Sequence, residues 1–184
     1  MKLEQYYEIK PWRINQVWGV KNPIYEQFGF SRHNGTDVAI GVNALVCSPF
    51  PCEVTKIGYQ AGGAGHYICI LSKFQYEING KLCWIEKTYM HLEKTIAKVG
   101  DSLSAGDTLA KADNSGFSTG PHTHIASKRV MKTPGGYSAI DKNEANSTFD
   151  DSSFYNGKYS IDLQITLLQQ TILLLTKLLP FLSK

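Results

Sequence analysis

At 184 residues the chain is long enough for one domain with a proper core and too short for two large ones. Its 42% hydrophobic and 19% charged residues are ordinary for a soluble globular protein. A net charge of +3 is a mild cationic bias that excludes a nucleic-acid-binding role, which needs a far more basic surface.

The first residues, Met1-Lys2-Leu3-Glu4-Gln5-Tyr6-Tyr7, lack the apolar core of a secretory signal, so export by another route is expected. Residues 1–30 are mixed aromatic and polar, with Pro11 and Pro23 breaking any helix, and read as an N-terminal extension packing on the domain. From 31 to 131 the chain reads as strands punctuated by glycine turns. Val38-Ala39-Ile40, Glu53-Val54-Thr55-Lys56-Ile57 and Tyr67-Ile68-Cys69-Ile70-Leu71 are short β-type runs. Phe74, Tyr76 and Ile78 alternate with polar residues up to Asn79-Gly80, and Leu82 and Trp84 alternate after it, which predicts a hairpin with both turn residues at positive φ. Val99-Gly100-Asp101-Ser102-Leu103 is echoed by Ala105-Gly106-Asp107-Thr108-Leu109, two tight reversals between short strands. The domain is therefore expected to be mainly β, an antiparallel sheet or sandwich.

Residues 132–160, rich in Gly, Ser, Asn, Asp and Lys, read as a linker or extended segment. In the last stretch, over 161–182, Ile161, Ile165, Leu168, Ile172, Leu175, Leu179 and Leu182 alternate in spacing between four and three, the seam of an amphipathic helix. That seam predicts self-association or docking into a larger assembly. Packing back onto the domain is the competing expectation. Gln169, Gln170, Lys177 and Pro180 argue against a membrane span, which wants ~20 unbroken apolar residues.

None of the four cysteines, Cys47, Cys52, Cys69 and Cys83, forms a CxxC pair. Cys69 and Cys83 sit in apolar runs as small hydrophobes, and Cys47 and Cys52 are close enough in sequence to bridge.

The chemistry gathers at the five histidines. His33-Asn34-Gly35-Thr36-Asp37 is one motif. His122-Thr123-His124, after Ser118-Thr119-Gly120-Pro121, is a second, and His91 sits in Tyr89-Met90-His91-Leu92. On a strand, residues two apart face one side, so both imidazoles of the HxH address one site. Two histidines and an aspartate make a workable zinc set, leaving a fourth position for water, and a further histidine can take a proton or stabilise an oxyanion. Alone, HxxxD is a common pattern and HxH only a moderate signal; their order, with Tyr-x-His-Leu between them, is what singles them out. His66, in Gly62-Gly63-Ala64-Gly65-His66-Tyr67, reads as a surface turn histidine. HExxH and GxSxG are both missing, which excludes a helix-borne zincin site and a serine nucleophile elbow.

Over residues 31–131 this set resembles the M23 peptidases, the lysostaphin and LytM-type zinc endopeptidases of bacterial cell walls. The resemblance rests on His33-x-x-x-Asp37, the glycine-rich turn before Tyr67-Ile68-Cys69-Ile70, Tyr89-Met90-His91-Leu92, the two Gly-Asp turns, and Ser115-Gly116-Phe117-Ser118-Thr119-Gly120-Pro121-His122-Thr123-His124. It implies an antiparallel β groove with lipoyl-like hairpins and one zinc ion at its floor. It further implies His33, Asp37 and His124 as ligands, and His91 and His122 flanking the attacking water. The implied substrate is the peptide part of peptidoglycan. Ile125-Ala126 depart from the Phe and acidic residue that often follow the HxH. Gly62-Gly63-Ala64 also lacks the tyrosine of some lysostaphin-like members, leaving only Tyr59 nearby. Together with the missing secretory signal and the C-terminal seam, the resemblance leads to the expectation of a phage virion component, a tail or baseplate hydrolase partnered by other tail proteins; a released phage lysin or a bacterial enzyme exported by another route would look similar. A structural protein that keeps the fold and uses the helix for assembly is the alternative.

Overall fold

The computed structural model describes residues 13–142 and 145–151; the helix expected over 161–182 and the start of the N-terminal extension lie outside the described residues. Strand β1 (Arg13–Gln16) is followed by a 3-10 turn, Pro23–Phe28. Asn22 caps that turn by accepting the Ile24 N–H at 3.0 Å, Pro23 sits where no N–H is needed, and Gly29 ends it at φ 77°. The remaining strands are β2 (Thr36–Ala39), β3 (Leu45–Cys47), β4 (Cys52–Gln60), β5 (Gly65–Ser72), β6 (Tyr76–Ile78), β7 (Lys81–Thr95), β8 (Ser102–Leu103), β9 (Thr108–Ala112), β10 (Thr123–Thr133) and β11 (Gly136–Ala139).

These strands form one antiparallel path in the order β1-β2-β10-β7-β5-β4-β8, with β11 beside β10, β6 folded onto β7, and β9 joining β7 to β3. Turn chemistry dictates much of this. Asn79 and Gly80 stand at φ 52° and 73°, the mirror-image turn that matches strand twist, and they close the β6–β7 hairpin. Gly100 and Gly106 reach φ 89° and 92° in two turns built alike. In each, the aspartate that follows accepts a main-chain N–H three residues back, Lys98 to Asp101 and Ser104 to Asp107, both at 2.8 Å.

The core faces of these strands form one apolar cluster, with Ile68, Ile70, Ile85, Leu92, Leu109 and Ile125 among its fully buried members. Ile125 belongs to that cluster and Ala126 beside it is buried, so the departure after the HxH lies in the interior and away from the surface. All four cysteines are free thiols, Cys47 and Cys52 included. Burial pushes the Cys83 thiol up to about 11, in keeping with a small core hydrophobe.

The stretch read as a linker or extended segment is built into the sheet in its first part. Gly136–Ala139 pairs with Val130–Thr133, and Thr148 and Asp151 are buried. Its polar composition misleads because the polar groups are used internally: Arg129 pairs with Asp141 through two hydrogen bonds, at 2.8 and 2.5 Å.

Candidate metal and catalytic centre

Strand register creates the site. In the β2–β10 pair His124 lies opposite Asp37, and in the β10–β7 pair the same His124 lies opposite Met90, next to His91. Paired residues share a sheet face, so Asp37 and His124 emerge together on one side while Thr36 and Ile125 point into the core. His33 stands before β2 and His122 just before β10, two residues from His124. The structure thus brings together all five residues singled out in the sequence. His66 does not join them: it is exposed on β5, with its ring 4.6 Å from that of Tyr59.

Three donor atoms converge. His33 Nε2 lies 3.2 Å from Asp37 Oδ1 and 3.1 Å from His124 Nδ1, and His124 Nδ1 lies 2.8 Å from Asp37 Oδ1. Tetrahedral ligands at about 2.0–2.1 Å from a zinc ion stand roughly 3.3 Å apart, so the spacing fits a common cation. Proton accounting agrees. The His33 Nδ1–H donates to the Val17 carbonyl at 3.0 Å, since a carbonyl only accepts. That leaves Nε2 as the nitrogen His33 turns to a carboxylate oxygen and to a second imidazole, and a cation at their centre would satisfy all three. His124 Nε2, buried, has no hydrogen-bond partner among the described residues. Burial alone raises the Asp37 carboxyl, but the imidazoles of His124 and then His33 beside it outweigh that in the metal-free chain and hold the group well below the usual carboxylate range.

The other two histidines are pinned in the same way and offer the same nitrogen. The His122 Nδ1–H donates to the Gly120 carbonyl at 2.7 Å, leaving its Nε2 3.7 Å from Asp37 Oδ1. The His91 Nδ1–H donates to the Ser115 carbonyl at 2.8 Å, and the two rings stand 4.7 Å apart. Burial pushes the His91 imidazole down to about 4, with the Ser115 carbonyl opposing, so it is neutral at physiological pH. His91 sits at φ 62° in a bulge of β7, its N–H held by the Ala64 carbonyl at 2.8 Å.

Sequence reasoning missed the supports. The carbonyls of Val17, Ser115 and Gly120 leave no residue-type signal, because the main chain of any residue supplies them. Ser115 had one: its hydroxyl accepts from His66 N–H at 3.0 Å and donates to the Leu92 carbonyl at 2.6 Å, bracing β5 against β7, the strand that carries His91. Gly35 had another, since a Cβ there falls 2.5 Å from His124 Nε2 and 2.6 Å from the Ile125 carbonyl.

An antiparallel β-sheet carrying an HxxxD and HxH cluster of this geometry defines a metal-dependent hydrolase class of site. The Peptidase family M23 model matches residues 31–134, and the chain belongs to that family. It is 36% identical over 92 residues to an uncharacterized metalloprotease of Haemophilus influenzae, covering 50% of this chain and 18% of the relative. It is 33% identical over 93 residues to the peptidoglycan DD-endopeptidase ShyB of Vibrio cholerae, covering 50% and 20%. The chain thus spans about a fifth of these relatives' length. The catalytic domain of lysostaphin from Staphylococcus simulans shares the fold at TM-score 0.58 and 20% identity, over 79% of this chain and 92% of that one.

Two outcomes follow from the geometry. Gly35→Ala forces a methyl group against the His124 ring and the β10 backbone, so the affinity of the cluster for added zinc, measured by chelator competition, is expected to be about ten-fold or more below that of the unsubstituted chain. The second concerns acid. Above the ordinary value of 6.5 His91 is neutral in folded and unfolded chains alike, but between 6.5 and about 4 the unfolded chain takes up the proton first. The thermal midpoint of the metal-free protein therefore falls as pH drops through that window, and His91→Asn makes the fall shallower.

Proposed function

We propose that the chain is a zinc-dependent endopeptidase that hydrolyses amide bonds in the peptide part of bacterial peptidoglycan. The observation that carries this reading is the convergence of three donors within 3.2 Å, faced by two imidazoles that are each fixed with Nε2 bare. Membership of the M23 family supports the reaction class, and the peptidoglycan endopeptidase among the relatives supports the substrate.

His33, Asp37 and His124 would hold the metal. Bound there, Zn2+ supplies Lewis acidity towards a carbonyl oxygen and makes water a nucleophile near neutral pH. The protein residues divide the proton work. His91 and His122 begin as acceptors, because both have given their Nδ1–H to main-chain carbonyls. One of them takes the proton of the attacking water as its oxygen bonds to the amide carbon. The imidazolium so formed is a donor, stabilising the oxyanion and then returning the proton to the leaving amine as the C–N bond breaks. An Nε2 that accepts the proton of water cannot donate to an oxyanion until it has done so, so stabilisation switches on with proton uptake.

Purified protein is expected to hold about one zinc ion per chain and to clear cell-wall suspensions in a chelator-sensitive way. His33→Ala, Asp37→Ala and His124→Ala each lose zinc and activity together. His122→Ala retains zinc while kcat falls about 10²–10⁴-fold. Full activity in a ligand variant would overturn the assignment.

For the setting we propose a phage tail or baseplate component that opens the wall during entry, assembled through the heptad seam over 161–182. That seam also favours the alternative, an assembly protein that keeps the fold. Leu168→Asp with Leu175→Asp is expected to lower the solution mass seen by light scattering; an unchanged mass removes the self-association reading.

A further inference from the structure

Behind the sheet, on the face opposite the donor cluster, lies a buried polar group that the proposed reaction does not use. Asp151 is 1% exposed and accepts from Thr36 Oγ1 at 2.8 Å, Lys87 Nζ at 2.8 Å and Ser127 Oγ at 2.5 Å. The three donors come from three adjacent strands, β2, β7 and β10, which also carry Asp37, His91 and His124. Ser127 and Lys87 are direct partners in the β10–β7 register, and Thr36 is joined to Asp37 by a peptide bond. A second link comes from the same segment. The indole N–H of Trp18 donates to Thr148 Oγ1 at 2.8 Å, and Trp18 follows Val17, whose carbonyl orients His33. The main chain adds a third, Phe149 N–H to the Ser127 carbonyl at 3.0 Å.

We propose that residues 145–151, beyond the part of the chain that matches the family, are a clasp that sets the metal site from behind, with Asp151 as its positioning residue. This rests on the metal reading above. The physical case is one of geometry and cost. A buried carboxylate beside a buried lysine is expensive to desolvate and stabilises little compared with an apolar pair of the same size. Its three directional bonds do, however, fix three strands relative to one another, and the donor atoms on the other face of two of those strands must hold positions to within about 0.5 Å. The Thr148–Trp18 bond carries the same restraint to the third ligand through Val17. One short segment thereby reaches the supports of His33, Asp37 and His124 without touching any of them.

The test uses the full chain, with zinc itself as probe. Thr36→Val keeps the shape and removes the hydroxyl that ties β2 to Asp151; Thr36→Ser keeps the hydroxyl; Trp18→Phe keeps a ring and removes the N–H. Zinc affinity is measured by chelator competition, and the Co2+-substituted absorption spectrum reports ligand geometry independently of turnover. Thr36→Val is expected to weaken zinc by about ten-fold and to alter the Co2+ spectrum, with Thr36→Ser close to wild type and Trp18→Phe weakened several-fold. Asp151→Asn, which removes the charge that faces Lys87 Nζ, shows the largest effect where it folds. Thr36→Val and Trp18→Phe proteins that bind zinc as tightly as wild type, with unchanged Co2+ spectra, would overturn the clasp whatever their thermal stability. A wild-type chain that binds no zinc would remove the metal reading and the clasp with it, which separates the two failures.

Discussion

The structure is organised around one carboxylate oxygen. Asp37 Oδ1 has imidazole nitrogens of His124, His33 and His122 at 2.8, 3.2 and 3.7 Å, in a place where His33 and His124 are buried. So many polar groups removed from water cost several kcal/mol unless each is paired, and pairing demands fixed positions. No local preference of the backbone brings His33 and His124 together across 91 residues of chain. The β2–β10 register does, and the apolar core holds that register: a slip of one residue would send Asp37 inward and Thr36 and Val38 outward.

Proton placement is settled by the main chain. Val17, Ser115 and Gly120 each take the Nδ1–H of one histidine, so His33, His91 and His122 all turn Nε2 towards the same place. His124 alone turns Nδ1 to Asp37, because the edge of its ring that carries Nε2 and Cε1 is turned towards Gly35. Main-chain acceptors cannot be lost by substitution, only moved. Control over the imidazoles therefore passes to whatever positions those loops, as Ser115 does for His91, while Gly35 makes room for the His124 ring.

The sequence displayed what repeats or is chemically marked. The Asn79-Gly80 hairpin and the two Gly-Asp turns were legible because positive φ restricts the residue type. Four of the five grouped residues stood in two spaced motifs and His91 in Tyr89-Met90-His91-Leu92 between them, while the division into ligands and flanking histidines was only what the family resemblance implied. What was not legible is held by atoms common to every residue, or by polar residues doing buried work. Thr148, Phe149 and Asp151 lie in a stretch whose composition reads as solvated loop, and only the structure shows their groups turned inward onto Trp18, Ser127, Thr36 and Lys87.

His91 shows most sharply why alternation misleads at a site. In the β10–β7 register Ile125 faces Tyr89 and His124 faces Met90, so a regular strand would put Met90 on the donor face and His91 in the core beside Tyr89. The register against β5 slips between the His66–Leu92 and Ile68–Tyr89 pairs, where β7 carries one extra residue. Taking φ to 62° at that bulge turns the ring out of the core and brings it 6.2 Å from that of His124. A residue with a Cβ in the left-handed region costs about 1–3 kcal/mol, which the surrounding structure must offset. Here the N–H bond to Ala64 and the ring bond to Ser115 do so, and both partners lie in glycine-rich loops, Gly62–Gly65 and Ser115–Gly116. Those loops touch so closely that the Cβ of any residue replacing Gly65 or Gly116 would strike the other loop's backbone. The glycines are thus needed for the contact between the loops, and the contact is needed to keep a histidine where strand periodicity would not place it.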